Sequence, residues 1–321
     1  MKLLKRFEAP NRVLPTPYIT RHTVGKQFKK QWRLLLLLTP GILCYLVFSY
    51  LPMFGIVVAF QDYNIFKGFT KSPFVGLKWF QEMIRNVNFI KVILYTIKMS
   101  LTKLVLGFPA PIILALLINE ICIKRFKKLV QTLSYLPHFL SWVIVSIIIY
   151  RVLDANDGIV NNIISLLGLD PIEFMGNAEN FIPIVAFSEI WKEVGFGSIF
   201  YLAALTSIDP TLYEVAEIDG ARKFKQLLHV TLPNIAPTII MLFILSIAGL
   251  VSANFDQVYN LQNPLIQIDT EVINTYIYRK AILDGFYSFS TAFGLAQGVI
   301  SFILIYFTNQ LSKKISDVSI Y

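Results

Sequence analysis

Charged residues are scarce in this sequence. Asp, Glu, Lys and Arg make up 15% of its 321 residues, whereas 55% are hydrophobic. An average soluble protein carries about 25% charged residues. Together with a mean hydropathy of +0.60, this scarcity excludes an ordinary soluble domain and predicts a polytopic membrane protein.

Cysteine is also scarce. Cys44 lies in an apolar run, and Cys122 lies beside a cluster of Lys and Arg. Two such cysteines cannot make a disulfide framework, and neither is spaced with histidines as a metal ligand would be. The sequence therefore predicts neither a disulfide-stabilised secreted scaffold nor a metal site.

Sequence motifs of catalysis are missing as well. The chain contains no Gly-x4-Gly-Lys-Ser/Thr phosphate loop, no His-Glu-x-x-His and no nucleophile elbow. A membrane enzyme would also need acids or histidines clustered at one interface, and the sequence has no such cluster. The chain is therefore predicted not to be an enzyme.

Long apolar segments recur along the chain. A spanning helix needs about 20 apolar residues, because the hydrocarbon core is about 30 Å thick and a helix rises about 1.5 Å per residue. Charged residues interrupt the second and fourth segments, and no broken helix is expected. The sequence predicts an all-α fold with six transmembrane helices, at residues 34–60, 92–119, 129–150, 181–208, 230–255 and 285–312.

The basic residues predict the orientation of these helices. Nine Lys and Arg residues precede the first span, whereas residues 153–180 carry five acids and no base. Since cytoplasmic segments are enriched in Lys and Arg, both termini are predicted to be cytoplasmic. The net charge of +9 then reflects topology and does not require nucleic acid as a partner.

The chain is predicted to have three parts. Residues 1–33 form a basic cytoplasmic arm, which becomes amphipathic from Arg21 to Arg33 and suits an anionic membrane surface. Residues 34–312 form the six-helix domain, and residues 313–321 form a cytoplasmic tail.

The cytoplasmic stretch at about residues 209–233 is the most informative part of the sequence. Asp209 is predicted to cap a helix that has Pro210 at its first position. Gly220 is predicted to end that helix in a left-handed turn, and a second short helix then leads to Pro233, where the fifth span begins. Two short helices exceed what a connection requires, so this stretch is predicted to contact a partner.

The same stretch carries a family resemblance. Glu214-Val-Ala216 is followed by Asp219-Gly220-Ala221. Nine residues separate Gly220 from Val230, which precedes Leu232-Pro233. This spacing resembles the EAA loop of permease subunits of binding-protein-dependent ABC importers. Val215 stands where alanine is usual, and Val230 where isoleucine is usual.

Other segments resemble particular branches of that family, and together the resemblance extends from Arg33 to the end of the chain. Ile190-Trp191-Lys192 and residues 201–210 are similar to the carbohydrate-uptake branch related to the maltose permeases. Residues 52–55, 60–64 and 76–77 are similar to the subgroup that imports oligosaccharides and polysaccharide fragments.

The resemblance implies a type I ABC importer permease fold and a function in alternating access. It implies that a short helix at about residues 219–225 docks in a cleft of a separate ATPase, with Glu214 pairing with an arginine of that subunit. The implied ATPase-coupling residues are Glu214, Ala216, Asp219, Gly220, Ala221, Arg222, Lys223, Leu232 and Pro233.

The resemblance also implies the partners of the chain. They are a second homologous permease subunit, two copies of a cytoplasmic ATPase, an extracellular solute-binding protein or lipoprotein docked around residues 153–180 and 256–284, and an oligosaccharide substrate. ATP and Mg would be bound by the ATPase, and this chain would bind no cofactor. The implied location is the plasma membrane of a bacterium.

Ionisable residues inside the spans mark a candidate substrate path. Each costs about 2.5–3.5 kcal/mol at the centre of a spanning helix, so such residues tend to face a cavity or one another. His138 and Glu189 are predicted at similar depth, and Glu189 is spaced to pair with Lys192. They either line a polar pathway or form ion pairs that stabilise helix packing.

Aromatic and polar residues extend this candidate path. Trp142 and Trp191 are candidate stacking platforms, because sugar C–H faces pack on aromatic rings. Asn254 and Asp256, at the outer end of the fifth span, either meet an entering sugar or only cap a helix.

A second function remains open from the sequence alone. An ion- or proton-coupled secondary transporter would use His138 and Glu189 as its coupling pair. Such carriers show inverted repeats and broken helices, neither of which is evident in the sequence.

Overall fold

A computed structural model describes residues 24–251 and 253–316. The chain divides into two compact units, Met1–Gly55 and Ile56–Tyr321. In the first unit, α1 (Val24–Tyr45) is followed by a π-helical turn, Leu46–Tyr50. Helix α1 therefore begins within the segment predicted as the N-terminal arm, and residues 1–23 of that arm lie outside the described residues.

In the part of the second unit that the structure describes, every regular element is helical. A 3₁₀ helix, Leu51–Phe60, crosses the boundary between the units, and one isolated bridge pairs Gln61 with Phe74. The α-helices are α2 (Gly68–Lys71), α3 (Lys78–Arg85), α4 (Val87–Gly107), α5 (Pro109–Asn119), α6 (Lys124–Tyr135), α7 (Trp142–Val152), α8 (Ile159–Leu166), α9 (Phe181–Thr206), α10 (Thr211–Ile218), α11 (Lys223–Gln226), α12 (Leu232–Ala248), α13 (Phe255–Leu261), α14 (Ile273–Tyr278) and α15 (Tyr287–Ser316).

Several helical runs are long and apolar enough to cross a membrane. Four single runs within the described residues qualify, namely Leu36–Phe60, Val87–Asn119, Lys223–Ile247 and Tyr287–Gln310. A bent pair of helices gives a fifth. Helix α9 is 26 residues long but contains three charged residues and is not among these runs. The count of six spans stays a prediction.

The third predicted span is broken, which corrects the expectation of unbroken helices. The run Lys124–Phe139 meets α7 at an angle of 104°. Pro137 lies in the intervening 3₁₀ turn, Leu136–Phe139, where it lacks the N–H that a continuing helix would require. Ser141 is the N-cap of α7, and its hydroxyl oxygen accepts a hydrogen bond from the Ile144 amide at 3.4 Å.

The stretch at residues 209–233, called the coupling stretch after the role that the family resemblance implies, also differs from its prediction. Helix α10 ends at Ile218 and Gly220 has φ +75°, so the predicted left-handed turn is present. However, no separate helix covers residues 219–225. A helical run begins at Lys223 and continues through a π-helical turn, Leu227–Thr231, into α12. Pro233 therefore lies inside a continuous run instead of starting the span.

Helix α9 occupies the centre of the second unit. It packs against α4, α5, α6 and α12, and its buried residues include Val185, Ser198 and Tyr201. At Gly195 the helix approaches the backbone of α6 so closely that an added Cβ would overlap the carbonyl oxygen of Ser134. Only glycine fits this crossing.

Replacing Gly195 tests this packing. Gly195→Ala forces a methyl group against backbone atoms, and overpacking of this kind costs about 1–3 kcal/mol or more. We expect a lower melting temperature and a severalfold lower yield of folded protein in detergent, measured by fluorescence-detected gel filtration. Gly107→Ala is the matched control, because its Cβ would make an ordinary 3.8 Å contact with Ile190. Equal behaviour of the two variants would contradict the close crossing.

Candidate functional site

A cavity of about 770 Å³ lies inside the second unit. Its walls come from α4, α5, α9 and α12, from Gly249, Leu250 and residues 253–255, and from Asn274 of α14. Helix α12 ends at Ala248, before the chain reaches the wall residues Asn254 and Phe255. This volume lies within the range of about 300–1,000 Å³ that is typical of small-molecule sites.

An ion pair stands in the cavity wall. Lys103 of α4 and Glu189 of α9 are 2.6 Å apart, with side-chain exposures of 12% and 30%. The Lys103 ammonium also donates to Gln257 Oε1 at 3.0 Å. The amide group of Gln257, which is fully buried, donates in turn to the Val185 carbonyl at 2.7 Å and to Ser188 Oγ at 3.0 Å. Lys103 is therefore held in place from two sides.

A second charged network supports the broken third span. The Lys192 ammonium donates to the His138 carbonyl at 2.7 Å and to Glu193 Oε1 at 3.0 Å. His138 Nδ1 lies 2.7 Å from Glu193 Oε2. A broken helix leaves carbonyl groups without partners, and Lys192 provides one for the carbonyl at the break. Among these three residues, only Glu193 lines the cavity.

Aromatic side chains form one part of the apolar cavity wall, beside aliphatic residues such as Leu104, Ile190 and Leu242. Phe108, Phe200, Tyr201 and Phe255 line it. Aromatic faces beside fixed polar groups suit a sugar, whose C–H faces are apolar and whose hydroxyl groups need hydrogen-bond partners.

The predicted path residues separate into two groups. Glu189 and Asn254 line the cavity, whereas the lining does not include His138, Trp142, Trp191 or Asp256. Trp142 is buried, and the Lys192 ammonium lies over its ring at 5.4 Å.

One of these outcomes corrects the sequence prediction, and a second agrees with one of its two alternatives. Glu189 pairs with Lys103 and not with Lys192. Asn254 accepts the Gln257 amide as the N-cap of α13, so it both caps a helix and lines the cavity.

Sequence reasoning missed Lys103 and Glu193 as cavity residues. The second span was predicted to begin at residue 92, but the helical run begins at Val87, where Asn86 caps it by accepting the amides of Asn88 and Phe89. Lys103 is consequently the middle residue of the run Val87–Asn119. The N-cap preference of Asn86 was the signal in the sequence that would have revealed this depth.

The coupling stretch presents an exposed apolar surface. Ile218 is 85% and Phe224 70% exposed, and Val215 is exposed as well. At the start of α10, Asp209 accepts the Thr211 amide at 2.9 Å, and this hydrogen bond lowers the pKa of the Asp209 carboxyl. Tyr213 holds α10 to the next helical run through a 3.0 Å hydrogen bond to Thr231.

The coupling stretch is also joined to the end of α5. The Lys223 ammonium donates to Glu120 Oε2 at 2.6 Å. Glu214, Asp219 and Arg222 are exposed, which leaves their charges available to a partner.

The two predicted outer segments, residues 153–180 and 256–284, are in contact with each other. Asn263 donates to the Met175 carbonyl at 2.6 Å. Asn161 is buried and fixes residues 154–172 through hydrogen bonds to Asp154 and Ile172. In the second segment Glu271 pairs with Arg279 at 3.1 Å, and burial raises the pKa of the Glu271 carboxyl despite that partner.

Among the described residues, no group of three or more His, Cys, Asp or Glu side chains is placed to hold a metal ion. In the cavity wall, Lys103 and Glu189 are paired with each other, and Glu193 is paired with His138 and Lys192, which lie outside the lining. The arrangement offers hydrogen-bond donors, acceptors and aromatic faces along a largely apolar cavity inside a membrane protein.

Comparisons with a family model and with individual proteins point to the same family. Residues 107–317 match the family described as the inner membrane component of binding-protein-dependent transport systems. The protein LplB of Bacillus subtilis is 40% identical over 91% of this chain and 92% of its own length. The polygalacturonan/rhamnogalacturonan transport system permease protein YteP of the same organism is 41% identical over 91% of each chain.

Solved structures agree with the sequence comparison. A crystal structure of a bacterial ABC transporter that imports the acidic polysaccharide alginate contains a chain with a TM-score of 0.84 and 39% identity, covering 91% of this chain and 99% of that one. A crystal structure of a bacterial alginate ABC transporter in complex with an alginate pentasaccharide-bound periplasmic protein gives a TM-score of 0.85 at 38% identity, with 92% and 99% covered.

These likenesses confirm the predicted helical type I ABC importer permease fold and the prediction that the chain is not itself an enzyme. They give no support to the alternative of an ion- or proton-coupled secondary transporter, although the structure does contain a broken span. The chain belongs to the family of inner-membrane permease components of binding-protein-dependent ABC transport systems.

Proposed function

We propose that this permease subunit carries an oligosaccharide or polysaccharide fragment from an extracellular binding protein into the cytoplasm by alternating access. The observation that carries the proposal is the cavity, where the Lys103–Glu189 pair lies among aromatic faces. The names of the relatives support a carbohydrate substrate, since they include a polygalacturonan/rhamnogalacturonan permease and an alginate importer.

The cavity suits transport better than tight binding. A sugar that enters must exchange its hydrogen bonds with water for hydrogen bonds with protein, and it must also leave. Lys103 and Glu189 already satisfy each other, so a sugar gains little net free energy by replacing one of these partners. Glu193 and Asn254 extend the polar wall.

His138, Lys192 and Trp142 have a different proposed role. They stabilise the break between α6 and α7 from behind the cavity wall. We assign Trp191 and Asp256, which do not line the cavity, no contact with the substrate in this conformation.

The exposed surface of the coupling stretch is the proposed site of ATPase docking. Exposed apolar residues rimmed by charges mark protein interaction sites. Ile218 and Phe224 are exposed, and the exposed charged residues Glu214, Asp219 and Arg222 lie in the same stretch of the chain. The docking element is α10, the turn at Gly220 and the start of the helical run at Lys223, in place of a separate helix at residues 219–225. Closure of the ATPases would move this element. The helical run that begins at Lys223 continues into α12, so the movement would reach the cavity wall.

The complete transporter would contain this chain, a second homologous permease subunit, two ATPase subunits that bind ATP and Mg, and an extracellular binding protein. That protein would dock on residues 153–180 and 256–284. Both termini would be cytoplasmic, and the assembly would lie in the plasma membrane of a bacterium. Residues 1–33 and 313–321 would be a basic arm and a tail on the cytoplasmic side.

Substitution of Gly220 tests the coupling assignment. Gly220→Pro cannot adopt φ +75° and removes the amide that donates to the Glu217 carbonyl at 3.0 Å. We expect loss of sugar uptake and of substrate-stimulated ATPase activity in reconstituted vesicles, while the permease remains folded. Glu214→Lys should have the same effect without altering the backbone.

Gly68→Pro is the matched control for Gly220→Pro. Gly68 has φ +69°, and its amide donates to the Asn64 carbonyl at 3.0 Å, so the local cost is similar at a site away from the coupling stretch. Normal substrate-stimulated ATPase activity in Gly220→Pro and Glu214→Lys would contradict ATPase docking at this surface.

Thiol labelling tests the proposed orientation. On a background lacking Cys44 and Cys122, Ser165→Cys places one exposed thiol in a segment predicted to lie outside the cell. Lys313→Cys places one exposed thiol in the tail that is predicted to be cytoplasmic. In intact cells an impermeant maleimide should label residue 165 and spare residue 313, which should react only after permeabilisation. The reverse pattern would overturn the topology.

A further inference from the structure

The Lys103–Glu189 pair lies where a passing substrate can reach it. Both residues line the cavity, and the Glu189 side chain is 30% exposed. Lys103 is anchored to Gln257, whose own amide group is fixed by Val185 and Ser188. The Lys103 ammonium therefore keeps its position when Glu189 exchanges one partner for another.

The pair offers one strong donor and one strong acceptor side by side. An ammonium group has three N–H donors and a carboxylate accepts through two oxygens, and the 2.6 Å contact uses only one oxygen of Glu189. Two neighbouring hydroxyl groups of a sugar ring can accept from Lys103 and donate to Glu189 at the same time. The aromatic ring of Phe108 lies on the same wall, where it can pack against a C–H face.

The charges of the pair affect how strongly an acidic sugar binds in the cavity. A fixed ammonium without a counter-charge would hold a uronate carboxylate tightly in this low-dielectric cavity, whereas an unpaired carboxylate would repel it. With both groups present, the wall is neutral at this point. A sugar carboxylate must then compete with Glu189 for Lys103.

We propose that Lys103 and Glu189 form a sugar-contact site that sets the selectivity of the cavity between uronate and uncharged sugar units. This inference rests on the proposed function in oligosaccharide import. It assigns the two residues opposite effects, because Lys103 favours a carboxylate and Glu189 opposes it.

Two single substitutions separate these effects. The probes are pentagalacturonate and its methyl ester, which share one backbone and differ in charge, and the readout is the ratio of acid uptake to ester uptake by the complete transporter. Where uptake of one probe is too slow to detect, the detection limit is used as its rate in the ratio. We expect Glu189→Gln to raise the ratio by about tenfold and Lys103→Gln to lower it by about tenfold. Since all variants receive sugar from the same binding protein, its own preference cancels.

The double variant Lys103→Gln/Glu189→Gln carries no uncompensated charge, so it remains informative even where a single variant assembles poorly. We expect its acid-to-ester ratio to return close to that of the wild type, with a higher KM for uptake of the transported probe. Glu82→Gln is a control, because Glu82 forms an exposed 4.0 Å ion pair with Lys78 away from the cavity lining, and it should change neither quantity.

The possible failures are distinguishable. If the wild type imports neither probe nor a neutral galactopentaose, the proposed function fails and the inference fails with it. If the wild type imports sugar but both single variants slow the two probes equally, the pair is structural and the contact site alone is overturned. An unchanged KM in the double variant also overturns the contact site.

Discussion

Charges buried among the helices of a membrane protein must be paired, and this requirement organises the centre of the second unit. Helix α9 carries Glu189, Lys192 and Glu193 within a membrane protein, where each isolated charge would cost several kcal/mol. Each of the three has an oppositely charged or hydrogen-bonding partner, from α4 or from the break in the third span. Because its charges are paired, helix α9 can pack against four other helices and also contribute polar groups to the cavity wall.

The two charged networks have different roles. One stabilises the break in the third span, and the other forms part of the cavity wall. Lys192 and Glu193 hold the chain at His138, where Pro137 ends one helix and Ser141 starts the next at 104°. Lys103 and Glu189 stand in the wall itself. A transport pathway needs polar groups that are satisfied without substrate, since unsatisfied groups would bind a sugar too firmly or destabilise the empty protein.

Sequence reasoning reached the helical membrane fold and the coupling stretch, because hydropathy and the Asp209, Gly220 and EAA-type spacing are local signals. It did not find the break at His138, since proline within a span does not by itself reveal whether the helix bends or ends. It also assigned Glu189 to Lys192, its neighbour in sequence. The real partner, Lys103, comes from another helix, and pairing between helices depends on packing that one sequence does not encode in its spacing.

The central claim is that substrate passes along the wall formed by α4, α9 and α12. Its most direct test is photo-crosslinking of a diazirine-bearing oligosaccharide to the assembled transporter during ATP turnover, with the modified residues mapped by mass spectrometry. The account predicts modification within residues 100–108, 245–250 and 253–255, which contain residues of the cavity wall. Modification confined to residues 135–142, which lie behind that wall at the break in the third span, would contradict it.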